Sequence, residues 1–287
     1  MFARAVTSAV SSVATSATAV KSVKSLLFAA VLAASLAPLG AQAQDAQKKN
    51  LVFGATAGPY ADQIKWGIKP ILEKQGYTVK IVEFSDYVQP NHALADGALD
   101  ANAFQHIVYL NKFAADHKLA LSPLVQVPTA PIGLYSSKFK NVSEVKDGAR
   151  VAIPNDPTNL ARALIMLQDL GWIKIKANFN PVTASEKDVE SSAKHIKLVP
   201  LEAAQLPRSL ADTDFSFVNG NFAIASGLKL TDALSLEAIP DKYMNLVAVR
   251  TADKDRQFVK DITAAYRSAE FSEVVKQRFA GFYTPKQ

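Results

Sequence analysis

The sequence predicts an α/β protein of two lobes, each built on a doubly wound sheet, with crossing strands that join the lobes. Strand-like hydrophobic runs alternate with helical segments, which is typical of parallel sheets covered by helices. This alternation occurs twice along about 240 residues, which suits two α/β units at about 150 residues each. No low-complexity linker separates the two series, and this favours lobes that share strands.

The first series predicts most of the first lobe. Strands are predicted at 51–56, 77–84 and 99–105 with extended structure at 121–137, and helices at 59–75, within 89–97 and at 106–117. Ile64, Ile68 and Leu72 share one face of the first helix, although Pro70 cannot donate a backbone hydrogen bond inside it. Gly97 is predicted to end the second helix as a C-cap residue.

The second series predicts the second lobe and a return to the first. Strands are predicted at 149–154, 195–202, 214–220 and 243–250, and helices at 157–170, 205–211, 253–266 and 268–279. We therefore expect the first lobe at 44–137, the second at 138–242, and the first lobe again at 243–287. Ligands of open α/β sheets bind at the carboxyl ends of strands, so a site is expected in the cleft between the lobes.

The helix predicted at 157–170 carries a cation in an unusual place. Asp156 and Pro157 are typical of a helix N-cap and the first helical position, and Arg162 follows within two turns. A cation near the positive end of a helix dipole is unfavourable for stability. Free backbone N–H groups and a guanidinium both suit an anion, so the sequence indicates an anion-binding site.

Aromatic residues cluster where predicted strands end. Phe104, His106 and Tyr109 lie at one strand-to-helix junction, and Tyr87 follows the preceding strand. They are either a structural plug at the sheet edge or the wall of a pocket for an apolar group, with His106 as a polar contact. From the residues alone, both interpretations stay open.

Asn219 and Asn221 flank Gly220 after a strand of the second lobe. Asparagine often forms tight turns, and its side-chain amide can also donate to a carboxylate or accept from an amine. Both interpretations of this pair are retained.

Composition limits the classes of function. The chain has no cysteine, which excludes disulfides, thiolate metal ligands and cysteine nucleophiles. The four histidines lack the spacing of a metal site, and no basic stripe suited to nucleic acid is present. Motifs of nucleotide-binding, dinucleotide-binding and common hydrolytic enzymes are absent. We therefore expect no catalytic residue, no metal and no cofactor.

The N-terminal 43 residues are typical of a secretory signal peptide. A basic, Ser- and Ala-rich lead precedes the apolar run 26–39 and the small-residue site Ala41–Ala43. Cleavage near Ala43 would lower the formal net charge from +6 to +3. Without a cysteine to carry lipid, we expect a soluble periplasmic protein that is free of the membrane.

Several blocks resemble the NlpA lipoprotein family, the methionine-binding periplasmic components of ABC importers. They are FSDYVQPNHAL (84–94), DANAFQH (100–106), PNDPTNLARAL (154–164), LEAAQLPRSL (201–210) and VNGNFA (218–223), in register from about Leu51 to Phe282.

This resemblance implies a two-lobed periplasmic substrate-binding protein fold that closes on methionine. It implies that Arg162 pairs with the ligand carboxylate, beside Asn159, and that Asn219, with Asn221 as a weaker match, contacts the ligand backbone. It also implies that Tyr87, Phe104, His106 and Tyr109 enclose the thioether. An ABC permease with its ATPase is the implied partner, and the receptor is expected to be a monomer.

Two departures from the family pattern leave alternatives open. The family usually has a lipid-bearing cysteine, and none is present here. It also often has an aromatic residue before the proline of the segment PIGLYS (131–136), where this chain has Ala130. The ligand could then be another apolar amino acid or a short methionine-containing peptide. A periplasmic enzyme on the same fold and a structural surface protein are the alternatives from other classes.

Overall fold

The computed structural model describes residues 48–286, so the predicted signal peptide lies outside the described residues. Within that part of the chain, no helix has the length and apolar character needed to cross a membrane. Two five-stranded sheets and their helices form the fold, which confirms the predicted fold class.

The first sheet has the strand order β2-β1-β3-β12-β4. Its strands are β1 (Asn50–Thr56), β2 (Thr78–Phe84), β3 (Ala101–His106), β4 (Leu121–Gln126) and β12 (Asn245–Arg250). Its helices are α1 (Pro59–Gln63), α2 (Lys69–Lys74), α3 (Gln89–Ala95), α4 (Ile107–His117), α8 (Gln257–Tyr266) and α9 (Ala269–Arg278). The core between this sheet and its helices includes Phe53, Ile64, Ile68, Phe258 and Ile262.

The second sheet has the strand order β11-β5-β10-β6-β9. Its strands are β5 (Gly133–Tyr135), β6 (Arg150–Pro154), β9 (Lys197–Leu201), β10 (Phe215–Val218) and β11 (Ser235–Leu236). Helices α5 (Pro157–Asp169), α6 (Leu206–Ser209) and α7 (Gly220–Ala225) belong to this half, with the hairpin β7 (Ile173–Ile175) and β8 (Val189–Ser192). The core here includes Ile153, Leu160, Leu164, Phe215 and Phe217.

The remaining helical segments are single turns. Residues Ile64–Ile68 form a π-helical turn, and 3-10 turns span Val142–Glu144, Glu186–Asp188, Ala203–Gln205, Leu230–Asp232, Asp241–Tyr243 and Thr251–Asp253. The π-helical turn joins α1 to α2 immediately before Pro70, which has no N–H for the regular helical ladder. The predicted helix at 59–75 is therefore present, with an irregular middle.

Two segments cross between the sheets. Residues 127–132 lead from β4 to β5, and residues 237–244 lead from β11 back to β12. The predicted crossing strands are thus confirmed. The exact lobe boundaries stay a prediction, and Gly133–Tyr135 pairs within the second sheet.

Both sheets are mixed, which differs from the expected purely parallel order. Strand β12 runs antiparallel to β3 and β4, and β5 runs antiparallel to β10 and β11. The antiparallel strands flank the crossing segments, where the chain enters or leaves a sheet without a right-handed helical crossover. Helix α7 and strand β11, which are six and two residues long, were not predicted from the sequence.

Candidate functional site

All predicted site residues line one chamber between the two sheets. The first-sheet half contributes Tyr87, Phe104, His106 and Tyr109, and the second-sheet half contributes Asn159, Arg162, Asn219 and Asn221. The cavity left between the lining side chains is about 20 Å³, which is room for about one water molecule. The lining residues therefore have to move apart to admit a ligand as large as an amino acid.

Arg162 is held in a buried ion pair that the sequence analysis did not anticipate. The Nε of Arg162 donates to Glu237 Oε1 at 2.8 Å, and Nη2 donates to Glu237 Oε2 at 2.5 Å. Only 5% of Arg162 is exposed. Burial acts to lower the pKa of Arg162, but the Glu237 carboxylate outweighs it and the pKa is raised. Arg162 therefore carries a permanent charge inside the chamber wall.

The guanidinium of Arg162 keeps donor capacity on the side away from Glu237. Arginine has five N–H donors: Glu237 accepts two, and Asn159 Oδ1 accepts one from Nη1 at 2.8 Å. Among residues 48–286, one N–H on each Nη of Arg162 has no partner. Two N–H groups on neighbouring nitrogens match the two oxygens of a ligand carboxylate.

The amino terminus of α5 is capped, so the predicted set of free backbone amides is wrong. The Asn159 N–H donates to Asp156 Oδ1 at 3.0 Å, and Pro157 at the first helical position has no N–H. Because burial disfavours the charged form, the pKa of Asp156 is raised. The predicted N-cap is confirmed, and it occupies the place where an anion would bind. The anion-binding group in the chamber is thus the Arg162 side chain.

Asn159 links the other polar side chains of the chamber. Its Nδ2 donates to the Asp156 carboxylate at 3.0 and 3.1 Å, and its Oδ1 accepts from Arg162 and from Asn219 Nδ2, the latter at 3.1 Å. These contacts engage both ends of its amide. The structure therefore places Asn159 as a support for Arg162 and Asn219.

Asn219 offers an acceptor that nothing satisfies within residues 48–286. Its Oδ1 is buried and has no hydrogen-bond partner there, although its Nδ2 donates to Asn159. An unpaired buried polar atom costs roughly 1–3 kcal/mol. A ligand that brings an N–H donor, such as an α-ammonium group, would remove this cost.

The aromatic residues form a continuous wall on the opposite side. The rings of Tyr87 and Phe104 stack with centroids 5.7 Å apart, and Tyr109 meets Phe104 edge-on at 6.1 Å. The ring centroid of Phe222, in the second-sheet half, lies 5.0 Å from that of Tyr87. The rings of Tyr87, Phe104 and Tyr109 pack on one another and also line the chamber, so the two interpretations left open by the sequence are compatible.

His106 caps α4 and is neutral. Its Nδ1 accepts from the Tyr109 N–H at 3.1 Å, which leaves the proton on Nε2, 3.4 Å from Asn159 Oδ1. Burial, with a smaller effect of the nearby Arg162 charge, holds the pKa of His106 well below 6.5. His106 therefore adds a polar edge to the chamber and no second positive charge.

Two hydrogen bonds connect the halves across the chamber. The Tyr87 hydroxyl donates to Asn221 Oδ1 at 2.7 Å, and Asn221 Nδ2 donates to Thr56 Oγ1 at 3.2 Å. Both amide ends of Asn221 are engaged by residues of the first-sheet half. Asn221 thus links the two halves across the chamber.

Several lining residues were missed by the sequence analysis. They are Tyr60, Gln105, Thr129, Ile132, Gly220 and Asn245, in addition to Glu237 behind Arg162. Asn245 is the first residue of β12, directly after a crossing segment, and its Nδ2 donates to the Phe104 carbonyl at 2.9 Å. Glu237 lies 75 residues from Arg162, so no local pattern pairs them. No cluster of three or more metal-binding side chains occurs among residues 48–286.

The chain is similar in sequence to one family of known proteins. The model of the NlpA lipoprotein family matches residues 51–287. The D-methionine-binding lipoprotein MetQ of Escherichia coli (strain K12) is 39% identical over 259 residues, covering 88% of this chain and 95% of that protein. The predicted family resemblance is confirmed.

Solved structures agree with the sequence comparison. A nutrient-binding protein from Burkholderia cenocepacia bound to methionine is 41% identical, with a TM-score of 0.78. The match covers 82% of this chain and 100% of that structure.

The prediction of a soluble, unanchored protein is contradicted by the names of the relatives. MetQ is named a lipoprotein, and a protein of Mannheimia haemolytica that is 38% identical over 236 residues is named outer membrane lipoprotein 2. The match to the Mannheimia haemolytica protein covers 82% of this chain and 85% of that relative. The prediction was drawn from the absence of cysteine, and the similarity to lipoproteins outweighs that absence.

Proposed function

The chain belongs to the NlpA lipoprotein family, and on that premise we propose that it is a periplasmic solute-binding protein that delivers methionine to an ABC importer. The family relation implies a membrane-anchored protein. The observation that carries the proposal is the chamber itself. It combines N–H donors of Arg162 and an Asn219 acceptor that have no partner among residues 48–286 with an aromatic wall.

The polar side of the chamber suits the backbone of an amino acid. The ligand carboxylate accepts from the two Nη groups of Arg162, because a charged, paired hydrogen bond is the strong way to hold a carboxylate. The ligand ammonium donates to Asn219 Oδ1. Asn159 keeps both side chains in place through the contacts described above.

The aromatic side suits the thioether. Tyr87, Phe104 and Tyr109 present ring faces and edges to the chamber, with His106 at its rim. A sulfur atom against aromatic edges is stabilised by about 0.3–1.5 kcal/mol per contact. Methionine thus satisfies both sides of the chamber.

Each lobe supplies part of the site, so the ligand stabilises the closed form through contacts that the open form lacks. A permease with its ATPase would then bind the closed receptor, and we propose that the receptor acts as a monomer.

The relatives are binding proteins, and we extend this to propose that the chain has no enzymatic activity. We propose that the lobe boundaries lie in the crossing segments 127–132 and 237–244, because β5 (Gly133–Tyr135), which the predicted boundary at residue 137 assigned to the first lobe, pairs within the second sheet.

A second ligand class is supported by one position. Ala130 lines the chamber where the family often has an aromatic residue. A small residue here suits an apolar side chain of a different shape, although the Gly220 backbone occupies part of the space: a Cβ built on Gly220 would lie 2.5 Å from the Cβ of Ala130. Another apolar amino acid, or a short methionine-containing peptide, is the alternative ligand.

A thermal-shift screen tests the function. L-methionine, D-methionine, other apolar amino acids and methionine-containing dipeptides are compared on the full chain. We expect one or both methionine enantiomers to raise the melting temperature most, since a ligand at about 100 times its Kd stabilises by about 2.7 kcal/mol. A larger shift with another amino acid or a dipeptide would favour the alternative, and turnover of any ligand would favour an enzyme.

A further inference from the structure

We propose that Glu237 is a specificity-determining residue: it balances the charge of Arg162, so that the chamber accepts a zwitterion and rejects ligands with a net charge. This inference rests on the proposed methionine binding. It assigns to Glu237 a part in ligand choice that goes beyond holding the fold together.

Glu237 occupies one edge of the guanidinium, the edge formed by Nε and Nη2. Both carboxylate oxygens are used, one on Nε at 2.8 Å and one on Nη2 at 2.5 Å. Glu237 is 7% exposed, so water does not screen the pair. The donors left on the two Nη groups point away from the edge that Glu237 occupies.

The backbone fixes Glu237 independently of the ligand. Its N–H donates to the Ile132 carbonyl at 2.9 Å, and the Ile132 N–H donates to Glu237 Oε2 at 3.3 Å. Ile132 and Glu237 belong to the two segments that cross between the sheets. The crossing segments therefore set the direction in which Arg162 presents its donors.

The Arg162–Glu237 pair sets the net charge of the chamber, because the other ionisable groups around it are either uncharged or already engaged. His106 is neutral, and burial raises the pKa of Tyr60, Tyr87 and Tyr109, so these phenols keep their protons. The Asp156 carboxylate is engaged by the amino terminus of α5.

A zwitterion preserves that balance, whereas other ligands disturb it. Methionine adds no net charge to the chamber. Its des-amino analogue, methylthiobutanoate, adds one negative charge and leaves Asn219 Oδ1 unpaired. Methioninamide adds one positive charge beside Arg162. In a buried site a charge that lacks a partner is strongly disfavoured.

The test compares these three ligands by calorimetry on wild-type protein, Glu237→Gln and Glu237→Asp. It is run at about pH 6, where the amine of methioninamide is protonated. Glu237→Gln keeps the shape of the side chain and removes its charge. We expect the affinity of methylthiobutanoate relative to methionine to rise about tenfold or more, and that of methioninamide to fall by a similar factor.

Opposite shifts for the two analogues distinguish charge balance from a structural effect. A residue that only maintained the fold would change all three affinities by the same factor, and that result would overturn the proposal. Glu237→Asp keeps the charge and should weaken all three ligands while preserving their ratios. Altered ratios in Glu237→Asp would also contradict it.

The wild-type protein provides a test that needs no folded variant. It should bind each charged analogue at least about tenfold more weakly than methionine. Equal affinity for methylthiobutanoate would overturn the charge balance. Failure of wild-type protein to bind methionine would instead contradict the proposed function, so the two failures are distinguishable.

Discussion

At the scale of single residues, the buried charge of Arg162 is better explained by ligand binding than by stability. A buried ion pair such as Arg162–Glu237 can often be replaced by apolar residues at no cost to folding, whereas removal of one partner costs about 3–5 kcal/mol. Within residues 48–286, Asn219 likewise carries a buried acceptor without a hydrogen-bond partner. Neither feature is needed to stabilise the fold, and a zwitterionic ligand would use both.

Asn219→Ala should weaken methionine binding by about 1–3 kcal/mol, because the ligand ammonium loses its acceptor. Calorimetry measures the change. The control is Asn155→Ala, since Asn155 is exposed and its amide contacts Glu202; it should bind as wild type does. Wild-type affinity in Asn219→Ala would remove this residue from the ligand site.

His106 should make the protein less stable on mild acidification. Its folded pKa lies below the ordinary value of 6.5, so below about pH 6.5 the unfolded chain binds a proton that the folded chain does not. The free energy of unfolding should therefore fall as the pH drops from about 6.5 to 5.5. Denaturant titrations at several pH values measure this slope.

His106→Asn is the matched control for that slope. Asparagine is a good N-cap and does not titrate, so the variant should keep the cap of α4 and show a shallower pH dependence. Identical slopes in the two proteins would show that His106 is not the group responsible.

At the scale of elements, α5 brings the site residues of the second lobe together. Leu160, Leu164 and Leu167 are fully buried on its apolar face, while Asn159 and Arg162 are one turn apart and face the chamber. The N-cap Asp156 holds both the helix terminus and the Asn159 amide.

Asp156→Ala should lower the free energy of unfolding by about 0.5–2 kcal/mol through loss of the cap. It should also weaken methionine binding, since Asn159 loses the contacts that orient it. Asp156→Asn can still cap the helix and should be close to wild type in stability. Denaturant unfolding with calorimetry tests both, and an unchanged stability of Asp156→Ala would contradict this role for the cap.

Elements with strong local patterns could be predicted from the sequence. Helix α5 has an N-cap, an initial proline and a regular apolar face, and strand β1 is a compact hydrophobic run. Helix α7 and strand β11 are too short for a periodic pattern to show. The antiparallel strands were missed because strand direction is decided by the connections and not by local sequence.

At the scale of the whole molecule, the site exists because two lobes meet. The Tyr87–Asn221 hydrogen bond and the contact of Asn221 with Thr56 span the chamber. Among the residues that hold the halves together, Tyr87 and Asn221 were predicted from the sequence as site residues. Glu237 could not be predicted, because the pairing of Glu237 with Arg162 depends on how the crossing segments place residues that are distant along the chain.

Tyr87→Phe should lower methionine affinity by about 0.5–1.5 kcal/mol, because it removes a hydrogen bond between the lobes and keeps the aromatic ring. Tyr77→Phe is the control: its hydroxyl contacts Asp261 within the first lobe, at 2.5 Å. Calorimetry on both variants tests the difference. Equal affinities would show that the Tyr87 hydroxyl does not contribute to closure.

The central claim is that Arg162 binds the carboxylate of methionine inside the chamber, and calorimetry of Arg162→Ala tests it most directly. We expect the variant to lose about 2–5 kcal/mol of affinity, while Arg208→Ala, at an exposed position on α6, binds as wild type does. Arg162→Lys, which keeps the charge facing Glu237, should also bind weakly because it lacks the paired donors. Folded Arg162→Ala or Arg162→Lys with wild-type affinity for methionine would contradict the account.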